Sequence, residues 1–274
     1  MIRGDLSRAV RDLYLRRERG DLPPFRRLVI ETSGLADPVP ILATIASDLA
    51  IRRHFRIGNV IATLDPLHAE HSLARAEAQR QAAVADRLII TKTDIAAPDR
   101  IARLRERVRC LNPSALLIAT SAGVVDATMM FEQEFGRAET RLAEVQHWVS
   151  GGGEAVASVP SDVRSLSVAL DEPIGWSAFG LWLSALVNRH GDKLLRIKAV
   201  LQVEGSATPV ALHAVQHLIY PPEHLPAWPD ADRRSRLVFI TSGLTPTQLG
   251  RLERSLRTFA RLGLREGSAA AANP

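Results

Sequence analysis

A short segment after an apolar run carries side chains that could recognise a purine base. Thr91–Asp94 reads Thr-Lys-Thr-Asp and directly follows Leu88–Ile90. The carboxylate of Asp94 can accept both N–H groups on the Watson–Crick edge of guanine, where adenine presents a ring-nitrogen lone pair. The methylene stem of Lys92 can lie across the plane of the base. Thr91, Lys92 and Asp94 therefore form a candidate guanine site, although lysine and aspartate after a strand also serve simply as polar loop and helix cap.

Two other motifs could complete such a site. Ser121 and Ala122 follow another apolar run and could donate hydroxyl and backbone N–H bonds to the guanine carbonyl. Glu31 and Gly34 belong to a Glu-Thr-Ser-Gly segment, in which an acidic residue can hold Mg²⁺ through water and a glycine can lie near a γ-phosphate. The alternatives are an ordinary strand end for Ser121 and Ala122, and for Gly34 a turn glycine that supplies permissive backbone angles.

Histidine pairs invite a metal interpretation that their spacing does not support. His213 and His217 fall on one predicted strand, which places them about 13 Å apart, too far for two ligands bonded to zinc at about 2 Å each. His68 and His71 could face the same way on a helix, but such a pair without a third ligand is more typical of a polar helix start. Cys110 is the only cysteine, so the chain can build neither an intramolecular disulfide nor a multi-cysteine metal site. We predict no metal site in this chain.

The strand-end residues need a parallel sheet to bring them together. In the first half of the chain, apolar runs alternate with segments of helical periodicity, which predicts an α/β fold with a parallel sheet and helices on both faces. The predicted strands are Leu28–Ile30, Asn59–Leu64, Leu88–Ile90 and Ala115–Ala119, and the predicted helices are Asp5–Arg19, one beginning at Pro38, Ala69–Val84 and Pro98–Cys110. Ligand loops of such sheets gather at the carboxyl ends of the strands. Glu31, Asp65, Lys92 and Ser121 should therefore share one edge.

The second half predicts a different architecture. Regularity fails over residues 136–162, where Ser150–Gly153 and Val159-Pro160 indicate a flexible linker. The elements predicted after it are the strand Val163–Leu170, the helix Trp176–Arg189, the strands Leu194–Glu204, Pro209–Ile219 and Leu237–Ile240, and the helix Thr247–Ala260. Consecutive strands imply antiparallel pairing. We expect one domain at residues 1–135, a small α+β domain at 163–262 and a disordered tail at 263–274.

Composition assigns no binding partner. The net charge is +5, but the basic residues are interleaved with Asp and Glu along the whole chain, which is typical of a solvated surface rather than a nucleic-acid stripe. The uncharged stretch Pro173–Asn188 is shorter than the roughly 20 residues that span a bilayer. We expect a cytoplasmic protein without nucleic-acid or membrane partners. Trp176, Phe179, Leu183 and Leu186 could form a partner-binding face, but such a stripe more often packs on its own sheet.

Three stretches together resemble the CobW-like P-loop GTPases, a family of zinc metallochaperones, over nearly the whole chain. Ile30–Pro38 resembles the family's switch motif, and Gln81–Asp94 resembles its guanine motif with the preceding strand. The stretches similar to its C-terminal domain are His213–Leu218, Leu225–Asp230 and Arg236–Thr241. The resemblance implies GTP and Mg²⁺ as cofactors, with Glu31 and Gly34 at the phosphate end and the Thr91–Asp94 and Ser121-Ala122 segments at the guanine end.

The sequence departs from the family at its start. In the family, a Gly-x-x-Gly-x-Gly-Lys-Thr loop and a Cys-x-Cys-Cys zinc motif precede a segment like Ile2–Leu6, and neither motif is in this sequence. That loop wraps the phosphates with backbone N–H groups, and its Lys and Ser/Thr contact the transferred phosphoryl group and Mg²⁺. We therefore expect an N-terminally truncated GTPase domain with an incomplete sheet, no zinc site of the family's type and impaired hydrolysis.

Two functions follow from these observations. The resemblance implies a GTP-hydrolysing metallochaperone, cobalamin-related or concerned with zinc or cobalt delivery, that acts on a metal-dependent client protein. The alternative is a nucleotide-incompetent interaction module that binds a client through its C-terminal domain. A dinucleotide enzyme has no support, because no Gly-x-Gly-x-x-Gly follows any strand.

Overall fold

The first half of the chain forms a parallel sheet with helices around it. The structure is a computed structural model that describes residues 2–131, 145–146 and 162–270. Its first elements are α1 (Ile2–Glu18), α2 (Pro38–Ser47), α3 (Leu49–His54), β1 (Ile61–Leu64), α4 (Ala69–Ser72), α5 (Ala76–Val84), β2 (Arg87–Ile90), α6 (Pro98–Leu111), β3 (Leu116–Ala119) and α7 (Ala127–Phe131). The strands pair in the order β1-β2-β3, parallel throughout, with Leu64, Ile90 and Ala119 in register. All four residues of β2 are buried, as expected for a central strand covered on both faces. The predicted α/β class is confirmed.

The predicted strand Leu28–Ile30 is not formed. The segment belongs to no strand of the described residues, and Val29 and Ile30 are 69% and 38% exposed. Among the described residues β1 pairs with β2 alone, and its Thr63 is exposed. The prediction was wrong because an apolar run acquires strand structure only by pairing, and this one has no neighbouring strand in the part of the chain that is described.

The predicted helix Ala69–Val84 is divided into α4 and α5. The division falls at Leu73, whose carbonyl oxygen accepts a bond of 2.8 Å from the Gln79 side chain and one of 3.1 Å from Arg107. These side chains satisfy a carbonyl that leaves the helical ladder. The predicted capping of α2 by Asp37 is confirmed, because its carboxylate accepts from Val39 N at 3.0 Å.

The second half is the expected antiparallel α+β domain. Its elements are β4 (Val163–Leu170), α8 (Trp176–His190), a 3₁₀ turn (Gly191–Lys193), β5 (Leu194–Leu201), β6 (Val210–Val215), β7 (Leu218–Ile219), β8 (Glu223–His224), β9 (Ser235–Ser242) and α9 (Pro246–Ala270). The strand order is β4-β9-β5-β6-β7, with β8 beside β6. Pro209–Ile219 was predicted as one strand, but Gln216, at φ 50°, turns it into the β6–β7 hairpin. Helix α9 extends beyond the predicted Ala260, so the predicted tail is helical up to Ala270.

Most of the predicted linker lies outside the described residues, as do Ser150–Gly153 and Val159-Pro160. Of this region, the structure describes only Val145, Gln146 and Asp162. Val145 is helical, and it is buried in a hydrophobic cluster that contains residues of both halves of the chain, such as Leu88 and Val200.

The C-terminal sheet is buried on both faces. One face packs against α8 and α9, and the other joins the core of the first half. β5 shows both environments: Ile197 and Ala199 face the helices, whereas Val200 faces the first half. The two halves therefore share a continuous hydrophobic core rather than touching at their surfaces.

A buried charged cluster lies within this shared core. Arg196 and Lys198 of β5 alternate with Ile197, and the side chains of both contact Asp86, which directly precedes β2; Nζ of Lys198 lies 3.2 Å from its carboxylate. Asp86 also accepts from Val60 N at 3.0 Å. The side chains of Asp86, Arg196 and Lys198 are 7%, 7% and 1% exposed. The carboxylate therefore connects the parallel sheet to the antiparallel sheet.

Gly191, at the end of α8, is held against the His217 ring. A Cβ atom at this position would lie 2.3 Å from Nδ1 of His217. Nε2 of the same ring is hydrogen-bonded to Oδ1 of Asp192 at 3.1 Å. We expect Gly191→Ala to lower the free energy of unfolding by about 1–2 kcal/mol through overpacking, measured by urea denaturation. Adding His217→Ala should recover most of the loss, and a Gly191→Ala variant as stable as the wild type would refute the expectation.

Candidate functional site

The loops after β1, β2 and β3 are joined to one another by hydrogen bonds at one edge of the parallel sheet. Thr91 N donates to Leu64 O at 2.9 Å, and Thr120 N donates to Ile90 O at 2.8 Å. Thr93 then donates twice to Thr120 O, from its backbone N at 3.2 Å and from Oγ1 at 2.9 Å. These bonds continue the pairing of the strands into the loops, so the loops hold fixed positions relative to one another.

Asp94 and Ala122 meet on this edge. Ala122 N donates to Oδ1 of Asp94 at 3.2 Å, and both residues are exposed to solvent, as is Ser121. An acceptor and a donor thus stand side by side, open to a ligand. The structure brings together the predicted residues Thr91, Lys92, Asp94, Ser121 and Ala122.

The backbone of these loops is left-handed at two residues that are not glycine. Lys92 has a φ of 54° and Ala122 a φ of 50°. For residues with a side chain this conformation is uncommon and costs on the order of 1 kcal/mol or more. Such outliers concentrate at binding sites, because surrounding contacts must impose them.

Lys92 is tethered by a carboxylate from the neighbouring loop. Nζ of Lys92 lies 2.7 Å from Oδ2 of Asp65, and Nδ1 of His68 lies 3.0 Å from the same oxygen. Partial burial raises the pKa of Asp65, but the hydrogen bonds from Lys92 and His68 outweigh it and lower the pKa to about 2. Asp65 is therefore ionised at neutral pH. The predicted sharing of one edge by Asp65, Lys92 and Ser121 agrees with this arrangement.

The Glu31–Gly34 segment is held by other contacts. Gln81 of α5 donates to Gly34 O at 3.1 Å and to Ala36 O at 2.8 Å. Glu31 is exposed. Gly34 does not have a positive φ, and a Cβ there would meet no atom of the described residues within 4 Å, so neither their packing nor the backbone angle requires glycine. These bonds run to α5, so the structure does not join Glu31 and Gly34 to the Asp94 group.

The sequence interpretation did not assign a role to Asp65 or His68. The sequence did contain a signal for this pair. A carboxylate after β1 and a lysine after β2 must lie at the same edge of the sheet, because these strands are adjacent and parallel. Neighbouring strand ends of opposite charge therefore predict such a pair.

The histidines considered as metal ligands have other contacts. His71 lies 3.1 Å from Arg75, and His217 is bonded to Asp192. His213 belongs to β6, whereas His217 lies beyond its end, so the two are not on one strand as predicted. Within residues 2–131, 145–146 and 162–270, no three His, Cys, Asp or Glu side chains are grouped as metal ligands.

The possible partner-binding stripe on α8 is largely taken up by the core: Phe179 and Leu183 lie within it and Leu186 packs against it, whereas Trp176 is 41% exposed. Phe179 and Leu183 are 1% and 3% exposed. Trp182 packs between Phe179 and Phe239 and donates to Ser255 Oγ at 2.7 Å. No helix in the described part of the chain combines the length and apolar character needed to cross a bilayer.

Two family profiles match the two halves. Residues 1–119 match the CobW/HypB/UreG nucleotide-binding domain, and residues 163–257 match the cobalamin synthesis protein cobW C-terminal domain. The boundaries agree with the change from a parallel to an antiparallel sheet.

Comparison with individual proteins indicates the same family. The chain is 30% identical over 240 residues to the zinc chaperone YjiA of Escherichia coli K12, an alignment that covers 86% of this chain and 72% of YjiA. The zinc-regulated GTPase metalloprotein activator 1 of Schizosaccharomyces pombe is 29% identical over 105 residues, which are 37% of this chain and 25% of that protein. The crystal structure of Zn(II)-bound YjiA GTPase from E. coli superimposes with a TM-score of 0.70 at 28% identity, covering 91% of this chain and 76% of that one.

Proposed function

The chain belongs to the CobW family of nucleotide-binding proteins, and from that premise we propose that it recognises guanine nucleotides through Asp94 and Ala122 as part of a metal-chaperone function. The observation that carries the proposal is the Asp94–Ala122 contact: a carboxylate and a backbone N–H, both exposed, on bonded neighbouring loops.

The donor and acceptor order of this pair matches guanine. The Watson–Crick edge of guanine presents two N–H donors beside a carbonyl acceptor. Guanine can insert between the two groups, so that the Asp94 carboxylate accepts both N–H bonds and Ala122 N donates to the carbonyl. One protein bond is exchanged for three to the base. Adenine presents an acceptor and a donor in reversed order, so it would leave both protein groups unsatisfied.

Lys92 forms the expected floor of the base site. Its side chain is 50% exposed, while its Nζ remains bonded to Asp65. The apolar stem can then cover the flat face of a purine without losing the ion pair at its tip.

Glu31 is the residue we propose for the phosphate end. An exposed carboxylate suits Mg²⁺, which keeps most of its waters and takes its remaining ligands from nucleotide phosphates. Bound there, the ion would neutralise charge on the β- and γ-phosphates. Within this chain, Glu31 and Gly34 are the residues that we assign to the phosphate end, where we still expect GTP hydrolysis to be impaired.

Zinc is the proposed cargo, and a metal-dependent protein the proposed client. The support is the names of the relatives, a zinc chaperone and a zinc-regulated GTPase metalloprotein activator. Cobalt delivery for cobalamin chemistry is the second candidate, and the name of the matching C-terminal family supports it.

Titration with nucleosides tests base recognition separately from phosphate binding. We expect the chain to bind guanosine at least about 10-fold more tightly than adenosine, since an unpaired buried donor or acceptor costs about 1–3 kcal/mol. Asp94→Ala should abolish this preference. Asp99→Ala, an exposed aspartate of α6 paired with Arg103, should leave it intact. Isothermal titration calorimetry with both nucleosides, repeated with GTP, ATP and Mg²⁺, gives the affinities.

Equal affinity for guanosine and adenosine would contradict the proposal. In that event the interaction-module alternative would explain the chain better, and binding of a client protein in the absence of nucleotide would be its test.

A further inference from the structure

Asp65 is fixed from three directions at the edge of the sheet. Its Oδ2 contacts Nζ of Lys92 at 2.7 Å and Nδ1 of His68 at 3.0 Å, and its Oδ1 accepts from Leu67 N at 2.9 Å. The carboxylate comes directly after β1, and Lys92 comes after β2, the adjacent strand. Its position is therefore set by the pairing of β1 with β2.

A lysine needs such a restraint to serve as the floor of a base site. A free lysine side chain samples many rotamers, and binding a ligand against one of them loses that freedom. Asp65 holds the tip of the side chain, while the left-handed backbone of Lys92, at φ 54°, sets its base. Both ends of the stem are thereby fixed before any ligand arrives.

We infer that Asp65 is a positioning residue for guanine recognition: it holds the Lys92 stem across the base site, and His68 in turn holds the Asp65 carboxylate. This inference rests on the proposed guanine site. It deepens that proposal by assigning a role to two residues outside the Thr91–Asp94 and Ser121-Ala122 segments.

A purely structural ion pair would behave differently. The Asp65 and Lys92 side chains are 25% and 50% exposed, and pairs this exposed contribute little to stability. Loss of the pair should therefore leave unfolding nearly unchanged and appear in ligand affinity instead. An effect on guanosine that disappears when Lys92 is absent would distinguish positioning from general electrostatics.

The geometry can be tested without any ligand, because the sequence contains only three lysines. Lys193 is exposed, and Lys198 is 1% exposed, so they provide a reactive and a protected reference within the same chain. We expect Asp65→Asn to raise the acetylation rate of Lys92 relative to Lys193 about 3-fold or more, because Nζ of Lys92 would lose its charge-assisted hydrogen bond to the carboxylate and become more accessible. Asp65→Glu, which keeps the charge, should stay nearer the wild-type rate. Peptide mass spectrometry measures all three lysines together.

Guanosine affinity then tests the role. We expect Asp65→Asn to weaken guanosine binding about 5-fold, and Lys92→Ala to do the same, because both changes remove a fixed floor beneath the base. In the Lys92→Ala background Asp65→Asn should have no further effect, because residues that act through one contact are not additive. His68→Ala should give a smaller loss.

Three results would overturn the inference: guanosine binding by Asp65→Asn equal to that of the wild type, an equal loss with and without Lys92, or an unchanged Lys92 acetylation rate. If the wild type itself does not prefer guanosine, the proposed function fails and the inference fails with it. If the wild type prefers guanosine and the Asp65 variants bind guanosine as tightly as the wild type does, the proposed function stands and the inference alone is wrong.

Discussion

Asp94→Asn is expected to change the preferred base from guanine to xanthine. An asparagine amide offers one acceptor and one donor where the carboxylate offers two acceptors. Against guanine, the amide N–H₂ would face an N–H₂ donor; against xanthine it would face a carbonyl oxygen. The loss of one charge-assisted bond and the creation of a donor–donor contact should weaken GTP binding about 100-fold, while binding of xanthosine triphosphate increases. Parallel titrations with GTP, xanthosine triphosphate and ATP measure the change.

The matched control for this exchange is Asp99→Asn, at an exposed position of α6, where neither affinity should change. A variant Asp94→Asn that loses GTP without gaining xanthosine triphosphate would show that Asp94 supports the loop rather than reading the base. Unfolding of that variant by urea would then separate a loop effect from a recognition effect, since Asp94 also accepts from Ala122 N.

Asp86→Ala is expected to produce a large loss of stability. It would leave Arg196 and Lys198 buried without their carboxylate, and Val60 N without its acceptor. Breaking a buried ion pair from one side costs about 3–5 kcal/mol. Urea denaturation should show the loss, whereas Asp99→Ala, which breaks an exposed pair, should change stability by less than about 1 kcal/mol. An Asp86→Ala chain within that smaller range would refute the role assigned to the cluster.

The same cluster predicts how stability depends on pH. Burial raises the pKa of Asp86, but the positive charges of Arg196 and Lys198 outweigh it and hold the pKa below its ordinary value of 3.8. The unfolded chain therefore takes up this proton at a higher pH than the folded chain. The contribution of Asp86 is complete above about pH 4 and is lost as the pH falls through the pKa of the folded state. Asp86→Ala should flatten the stability profile below that pH.

The sequence predicted β1, β2 and β3 of the parallel sheet, but it failed at Leu28–Ile30, where pairing decides whether a strand forms. Leu88–Ile90 could be recognised because β2 is buried on both faces and is therefore apolar throughout. Leu28–Ile30 is equally apolar, but strand structure also requires a neighbouring strand, which composition does not encode. The division of Ala69–Val84 depends on Gln79 and Arg107 reaching Leu73 O, a tertiary effect that helical periodicity does not contain.

The site was predicted in the same uneven way. Asp94 and Ala122 could be proposed as base-binding residues, because their chemistry and their place after a strand are both typical of a base site. The tether on Lys92 depends on which strands are adjacent, and the left-handed angles of Lys92 and Ala122 follow from the loop contacts. Arg196 and Lys198 lie in the predicted strand Leu194–Glu204, and the sequence does not show whether their charges are exposed or buried. Only the packing of the C-terminal sheet on the first half reveals that these charges are buried.

The core shared by the two halves has a genetic consequence. A substitution in β5 touches no residue of the proposed base site, yet it would reduce the fraction of chains in which that site is folded, because Asp86, directly before β2, joins β5 to the parallel sheet. A mutational screen scored by nucleotide binding would therefore return positions from both sheets with similar severity. The ratio of guanine to adenine binding in each surviving mutant would sort them: substitutions that destabilise the fold lower both together, and substitutions in the recognition loops change the ratio.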